Sequence, residues 1–268
     1  MDFCADQLVL SFAERANIVA LSEDAMGLHS FYKAKAEGLK VIRSSAEEVL
    51  MLKPDLVFRT WGRSHAIDQL YSRVNVGTFQ PPFAIDYEAV LNTFTSAAEA
   101  LGKAEAGKLY VQGMRERLLA LQALESIPLK AVYLTPSGFT AGRGTSVDAV
   151  IHLAGLDTIA VDLGLNGWGE LPLEKLVMTP PDVVIASFFE EGAVHVSNWS
   201  SGRHGVFGNL IKDLPSILVP SHLMSCGRMF TVDAAEYIRA EAERLGLDKK
   251  LPKSTAPLQA EGPDDPAD

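Results

Sequence analysis

The sequence predicts an α/β protein of two lobes joined by one long helix, and three observations carry that expectation. Short apolar, partly β-branched runs alternate with helical or polar stretches in both halves of the chain, the pattern of βα units. Between the halves, residues 86–124 hold helical periodicity without a proline, far beyond the usual helix of about 11 residues. Finally, "SSAEEVLMLKPDLVF" at 44–58 returns as "LPLEKLVMTPPDVVI" at 171–185, an offset of 127 that sets Glu47 over Glu174, Pro54 over Pro181 and Asp55 over Asp182.

The runs "IVAL" (18–21), "KVI" (40–42), "DLVFR" (55–59) and "VNVGTF" (74–79) are the expected strands of a first α/β lobe, residues 1–85. The connecting helix takes 86–125, with Gly102 and Gly107 marking a break or kink inside it. A second α/β lobe, 126–247, repeats the alternation: "KAVYLTP" (130–136), a helix over 146–154, "DTIAV" (157–161), "PDVVIASF" (181–188), "SILVP" (216–220) and a last helix over 232–245. Residues 248–268 are rich in Pro, Ala and charge, too poor in apolar surface to order themselves, so a disordered tail is expected. Each copy of the repeat reads as a short helix running into a strand. In the first, Ser44-x-x-Glu47 makes a capping box before Val49, Leu50 and Leu52, and the helix stops before Pro54. In the second, Pro172 takes the first helical position, with Glu174 two residues on.

Composition excludes several classes. With 268 residues, 47% of them hydrophobic, the chain has material for two cores. A net charge of -10 and a pI near 5.1 leave no clustered basic surface for nucleic acid. No run approaches the roughly 20 apolar residues that cross a bilayer. "MDFCADQLVLSF" is acidic at once and lacks the basic and apolar regions of a secretory signal, so either a signal has been removed or there was none. No GxSxG elbow, GxxxxGK[ST] loop or HExxH is present. Six histidines are scattered without ligand spacing, and Cys4 and Cys226 match no zinc or redox motif.

The aromatic residues carry more by their positions. Trp61 follows "DLVFRT", Phe139 follows "AVYLTPSG", and Trp168 precedes the second repeated helix. Ligands of open α/β sheets bind beyond the carboxyl ends of strands, and large rings there suit a bulky, flat or greasy molecule; the alternative is that each packs under its own loop. Arg63 and Arg143 stand beside two of these rings, either to clamp an acidic group on a ligand or as solvated loop charges. Glu47 and Glu174 serve as first-turn caps, and as a matched pair they also suit two arginines on a symmetric partner.

Taken in order, these strings resemble the substrate-binding proteins of ABC importers that handle vitamin B12, ferric siderophores and haem, the class III periplasmic type. "CADQLVLSFAERANIVALS" resembles that family's opening strand and helix, and "AEEVLMLKPDLVF" its Glu before Leu-Lys-Pro-Asp-Leu-Val. "TPSGFTAGRGTSVDAVIHLAGLDTIAVD" is similar to the start of its second lobe, and "WGELPLEKLVMTPPDVVI" to the second-lobe counterpart of the motif. The resemblance implies two Rossmann-like lobes on a rigid helix with little hinge closure. It implies that Trp61, Phe139 and Trp168 line a cleft between the lobes, where Arg63 and Arg143 beside two of the rings are expected ligand contacts, and that Glu47 and Glu174 dock on an importer's permease dimer. It further implies a monomeric, periplasmic receptor for a metal chelate, with no catalytic residues, cofactor or metal site of its own. The chain departs from the cobalamin-binding members at Val41, where they carry another tryptophan. The resemblance also places both cysteines near strand ends facing the cleft and leaves open a disulfide or a role at the ligand. The competing readings are a two-lobed metal-cofactor enzyme, which calls for several cysteine ligands or a phosphate loop, and a receptor for a bare metal ion, which calls for about four converging His and carboxylate ligands.

Overall fold

A computed structural model describes residues 1–62, 64–190 and 214–249 of the protein. It begins with a helix, α1 (Phe3–Phe12), where the resemblance implied a strand. The cause is Asp2, whose carboxylate accepts the Ala5 N–H at 2.9 Å and so satisfies one of the unpaired donors of the first turn. Ala5, Leu8 and Phe12 on α1 then enter a core with Phe58, Val90, Phe94 and Ala97.

After α1, β1 (Leu21–Ser22) and β2 (Val41–Ile42) pair in parallel around the short α2 (Lys33–Ala36). The first copy of the repeat is α3 (Ala46–Met51) followed by β3 (Leu56–Phe58). That strand pairs in parallel with β4 (Gly77–Phe79) across α4 (His65–Arg73). The region expected as a single connecting helix is two: α5 (Tyr87–Ala100) and α6 (Ala104–Gln122). Gly102 takes φ +68, and the N–H groups of Gly102 and Lys103 return to the carbonyls of Glu99 and Ala98 at 2.9 and 2.7 Å. Those are the two bonds that terminate a helix on a left-handed glycine. The helices then pack side by side at Gly107, where a Cβ would lie 2.5 Å from the Cβ of Ala98. Gly102 therefore reverses the chain, and Gly107 lets the two helices approach.

The second unit is built on one parallel sheet, with strands β5 (Lys130–Leu134), β7 (Asp157–Thr158), β9 (Val183–Ser187) and β10 (Ser216–Val219) in the order β10-β9-β5-β7. β6 (Phe139–Ala141) pairs antiparallel with β8 (Trp168–Glu170). The helices are α7 (Ser146–Leu153), α8 (Ile159–Asp162) and α9 (Leu173–Met178), the last being the second copy of the repeat. All five residues of β9 are buried, as a strand covered on both faces requires. Val132, Leu134, Ile159, Leu176 and Val184 form this unit's core. The strand expected over 157–161 stops after two residues because the Thr158 hydroxyl accepts the Ala160 N–H at 3.2 Å and starts α8.

Beyond β10 come α10 (Ser221–Met224) and α11 (Thr231–Arg244). Contacts divide the chain into Met1–Ala123 with Pro220–Ala234, and Leu124–Val219 with Ala235–Asp268. The first unit thus takes both α5 and α6, which were expected to join the lobes, together with a stretch returning from beyond residue 219. Cys4 of α1 and Cys226 after α10 close that stretch with a disulfide, Cα–Cα 5.5 Å. The pair is buried beside Phe230, with Phe31 stacked on that ring at 4.0 Å. The cysteines are therefore core residues of the first unit, on a helix and in the segment before α11, and not at strand ends. Leu247–Lys249 form one 3-10 turn with Leu247 buried, and the rest of the expected tail, 250–268, lies outside the described residues. No described helix is long and apolar enough to cross a membrane.

Two expected outcomes test this packing. Gly107→Ala should lose about 1–3 kcal/mol of stability, because overpacking against Ala98 outweighs the gain of up to about 1 kcal/mol in helix propensity. Gly113→Ala in the same helix, with no atom within 4 Å of the new Cβ, should keep that gain; chemical denaturation measures both. Unfolded, unreduced protein should release no titratable thiol, and replacing both cysteines with serine should cost about 2–5 kcal/mol.

Candidate functional site

In the first unit the candidate ligand contact is built on the turn that leaves β3. Asp2 has a second task beyond capping α1. Its carboxylate accepts the Thr60 N–H at 2.8 Å, the Trp61 N–H at 3.3 Å and the Thr60 hydroxyl. From the other side the buried Arg59 donates to Asp68 of α4 at 2.9 Å and to the carbonyl of Gly62. Gly62 takes φ +68, which closes the turn. Trp61 is thereby presented on an anchored backbone with 59% of its surface exposed. Arg63 lies outside the described residues.

In the second unit the ring positions follow from strand register. β6 pairs Phe139 with Glu170 and Ala141 with Trp168. Alternate residues share a face, so Phe139 and Trp168 stand on one face of the ribbon as diagonal neighbours. Both are exposed. The Trp168 indole meets Tyr133 of β5 edge-on at 6.0 Å, and Tyr133 is buried with its hydroxyl hydrogen-bonded to Ser187 at the end of β9. Burial pushes the Tyr133 phenol up, so it stays neutral at the ordinary pH of the molecule. Behind the rings, the N–H of Gly142 reaches the Gly167 carbonyl at 2.8 Å, and a Cβ at Gly142 would lie 2.3 Å from the Leu165 carbonyl oxygen. Arg143 is exposed in that turn, its backbone bridged to Asn166.

The order β7-β5-β9-β10 reverses direction between β5 and β9, and a doubly wound sheet opens its binding crevice at the carboxyl side of such a switch. Phe139 follows β5 there. Phe188 and Phe189 follow β9, Phe188 at φ +65, a left-handed conformation uncommon for a bulky residue. Phe189 is exposed, as are Phe83 and Ile85 beyond β4 in the first unit. Sequence reasoning missed these three. The signal was available: each follows a strand of the kind that flagged Trp61. Asp2 and Arg59 carried no motif, because their role depends on the fold bringing residue 2 to residue 60.

The two glutamates occupy matching places. α3 and α9 are six residues long at the same offset of 127, and Glu47 and Glu174 are each the second residue and exposed. The capping box is shifted by one from the expectation. Ser45, not Ser44, accepts the Glu48 N–H at 3.2 Å, and Glu48, not Glu47, reaches back to the Arg43 N–H at 2.9 Å. Ser44 is excluded because it takes φ 47, outside the extended backbone of a helix cap. Capping therefore accounts for Glu48 and leaves Glu47 unexplained by it. In the second copy Pro172 precedes the helix, and its carbonyl accepts the Leu176 N–H at 3.1 Å. Among the described residues no three His, Cys, Asp or Glu side chains gather as metal ligands.

A family model described as periplasmic binding protein matches residues 14–192. A cobalamin-binding protein of Halobacterium salinarum is 26% identical over 188 residues, 68% of this chain and 51% of that protein. The chain thus spans about half the length of the curated relative it matches. Among solved structures, the periplasmic heme-binding protein HutB of Vibrio cholerae has a TM-score of 0.70 at 17% identity, covering 88% of this chain and 94% of that one. The heme-binding protein RhuT from Roseiflexus sp. RS-1 in apo form has a TM-score of 0.64 at 18% identity, covering 90% and 97%. At these identities the likeness is one of fold.

Asp2→Ala removes a helix cap and frees two backbone donors of the Trp61 turn. A loss of about 1–3 kcal/mol is expected, with faster amide hydrogen exchange at Thr60 and Trp61. A variant that destabilises α1 but leaves those two amides as protected as before would show that Asp2 acts as a cap alone.

Proposed function

The chain belongs to the periplasmic binding protein family, and from that premise we propose that it is an extracytoplasmic receptor that captures a bulky metal chelate and delivers it to an ABC importer. Cobalamin, haem and a ferric siderophore are the chelates of that class. The observation that carries the reading is the set of exposed rings, Trp61 after β3 in the first unit, and in the second Phe139 beyond β5 with Trp168 beside it at the start of β8. Water-exposed tryptophan on an anchored turn adds nothing to a core. It offers a flat apolar surface to a flat or greasy ligand, with Arg143 and Arg63 taking an acidic group of that ligand in the second and first units.

The family and fold are those of binding proteins rather than enzymes, and members work with ABC importers. A buried disulfide fits an oxidising compartment outside the cytoplasm. Glu47 and Glu174 take the docking role: both are exposed, both sit on the repeated helix, and Glu47 is not consumed by the cap.

The expected behaviour is concrete. Haemin, cyanocobalamin and a ferric hydroxamate siderophore, titrated separately, should include one that quenches tryptophan fluorescence at micromolar concentration or below. Trp61→Ala and Trp168→Ala should each weaken that binding by about 10- to 100-fold, as loss of a buried aromatic anchor does. Glu47→Gln with Glu174→Gln should leave binding unchanged and abolish stimulation of the importer's ATPase in proteoliposomes. Failure of all three ligands to bind would remove the chelate reading.

A further inference from the structure

The two repeated helices share more than their glutamates. In each, the second residue is an exposed glutamate, the fourth is a buried aliphatic anchor (Val49 and Leu176) and the sixth is an exposed methionine. Met51 is 80% exposed and Met178 78%, again at the offset of 127. Residues four apart lie on one helix face, separated by about 6 Å along the axis. Each unit therefore presents a carboxylate and a thioether side by side, pointing away from the aliphatic residue that holds the helix down.

Each glutamate complements the positive end of its helix dipole, but the exposed methionine does nothing for the helix. Two isolated exposed apolar residues would be ordinary, but these repeat in type, position and degree of exposure beside a repeated charge. Methionine is the apolar side chain best able to adapt to a partner's surface. The carboxylates select among partners: an anionic lipid surface would repel both tips, whereas a protein surface with a basic group would attract them.

Resting on the docking role given above to Glu47 and Glu174, we propose that Met51 and Met178 are the apolar half of the same contact. Each enters a socket on the importer's permease next to the basic group that receives the neighbouring glutamate. The partner surface is one pattern used twice, a basic side chain about 6 Å from an apolar pocket, as a dimer of identical or closely similar subunits supplies. The glutamate gives long-range attraction that salt screens, and the methionine gives short-range burial that salt leaves intact.

The test titrates the full chain into proteoliposomes holding the importer whose ATPase the wild-type chain stimulates. Met51→Gln and Met178→Gln keep length and helix propensity. Each should raise the concentration for half-maximal stimulation about tenfold, which is about 1.4 kcal/mol, while ligand binding stays at the wild-type value. Met51→Leu and Met178→Leu should stay within about threefold. Raising the salt should weaken stimulation by the wild type and the methionine variants in the same proportion, since both keep their glutamates. Glutamine variants indistinguishable from wild type, while Glu47→Gln with Glu174→Gln still abolishes stimulation, would overturn the inference and leave the receptor standing. A wild-type chain that binds a chelate yet stimulates no ATPase would remove the docking role itself, and the inference with it.

Discussion

The covalent link between Cys4 and Cys226 is the constraint on which the first unit depends. It joins residues 222 apart in sequence, and in a chain-entropy account a loop of that length removes roughly 5 kcal/mol of freedom from the unfolded state. The link fastens the returning stretch, Pro220–Ala234, to α1, and α1 is the organising element of that unit. Asp2 at its start holds the turn carrying Trp61. Asp6, one turn on, accepts the backbone N–H of Ser22 at 3.0 Å at the end of β1, and its carboxyl is pushed up to about 6 by burial. One helix thus sets the carboxyl ends of two separate strand pairs.

The duplicated helix and strand occupy different surroundings in the two units. β9 lies inside a four-stranded sheet with β5 and β10 on either side, whereas β3 pairs with β4 alone. The tips are nevertheless the same length, each with an exposed glutamate second, a buried aliphatic residue fourth and an exposed methionine sixth. The ring positions diverge where the tips do not. Trp168 opens β8, and the residue 127 earlier, Val41, opens β2 and is also exposed. The first unit instead offers Trp61 and Phe83 from turns after β3 and β4. The pattern at the tips is repeated between the units, and the ring positions are not.

Much of the strand pattern was readable because β-branched runs such as "DVVIAS" and "SILV" have few other uses in a buried parallel sheet. The misreadings have local physical causes. At 157–161 the composition favours a strand, but a threonine hydroxyl supplied the cap that turned the chain into a helix. At 86–124 periodicity continues smoothly through a glycine whose left-handed conformation reverses direction, and periodicity is blind to direction. The one-residue slip in the capping box arose because Ser44 and Ser45 are chemically equivalent, and only backbone conformation distinguishes them.

Sequence alone determined the α/β class and the repeat that carries the two glutamates, because each depends on residues near one another in the chain or on a fixed periodicity. Tertiary structure decided what depends on distance in sequence: that Cys4 meets Cys226, that Asp2 holds Trp61 in place, that α5 folds back on α6, and that the first unit is assembled from two ends of the polypeptide. Those contacts join residues from nine to 222 positions apart. Their energies come from groups that carry no signature until the fold brings them within hydrogen-bonding or van der Waals reach.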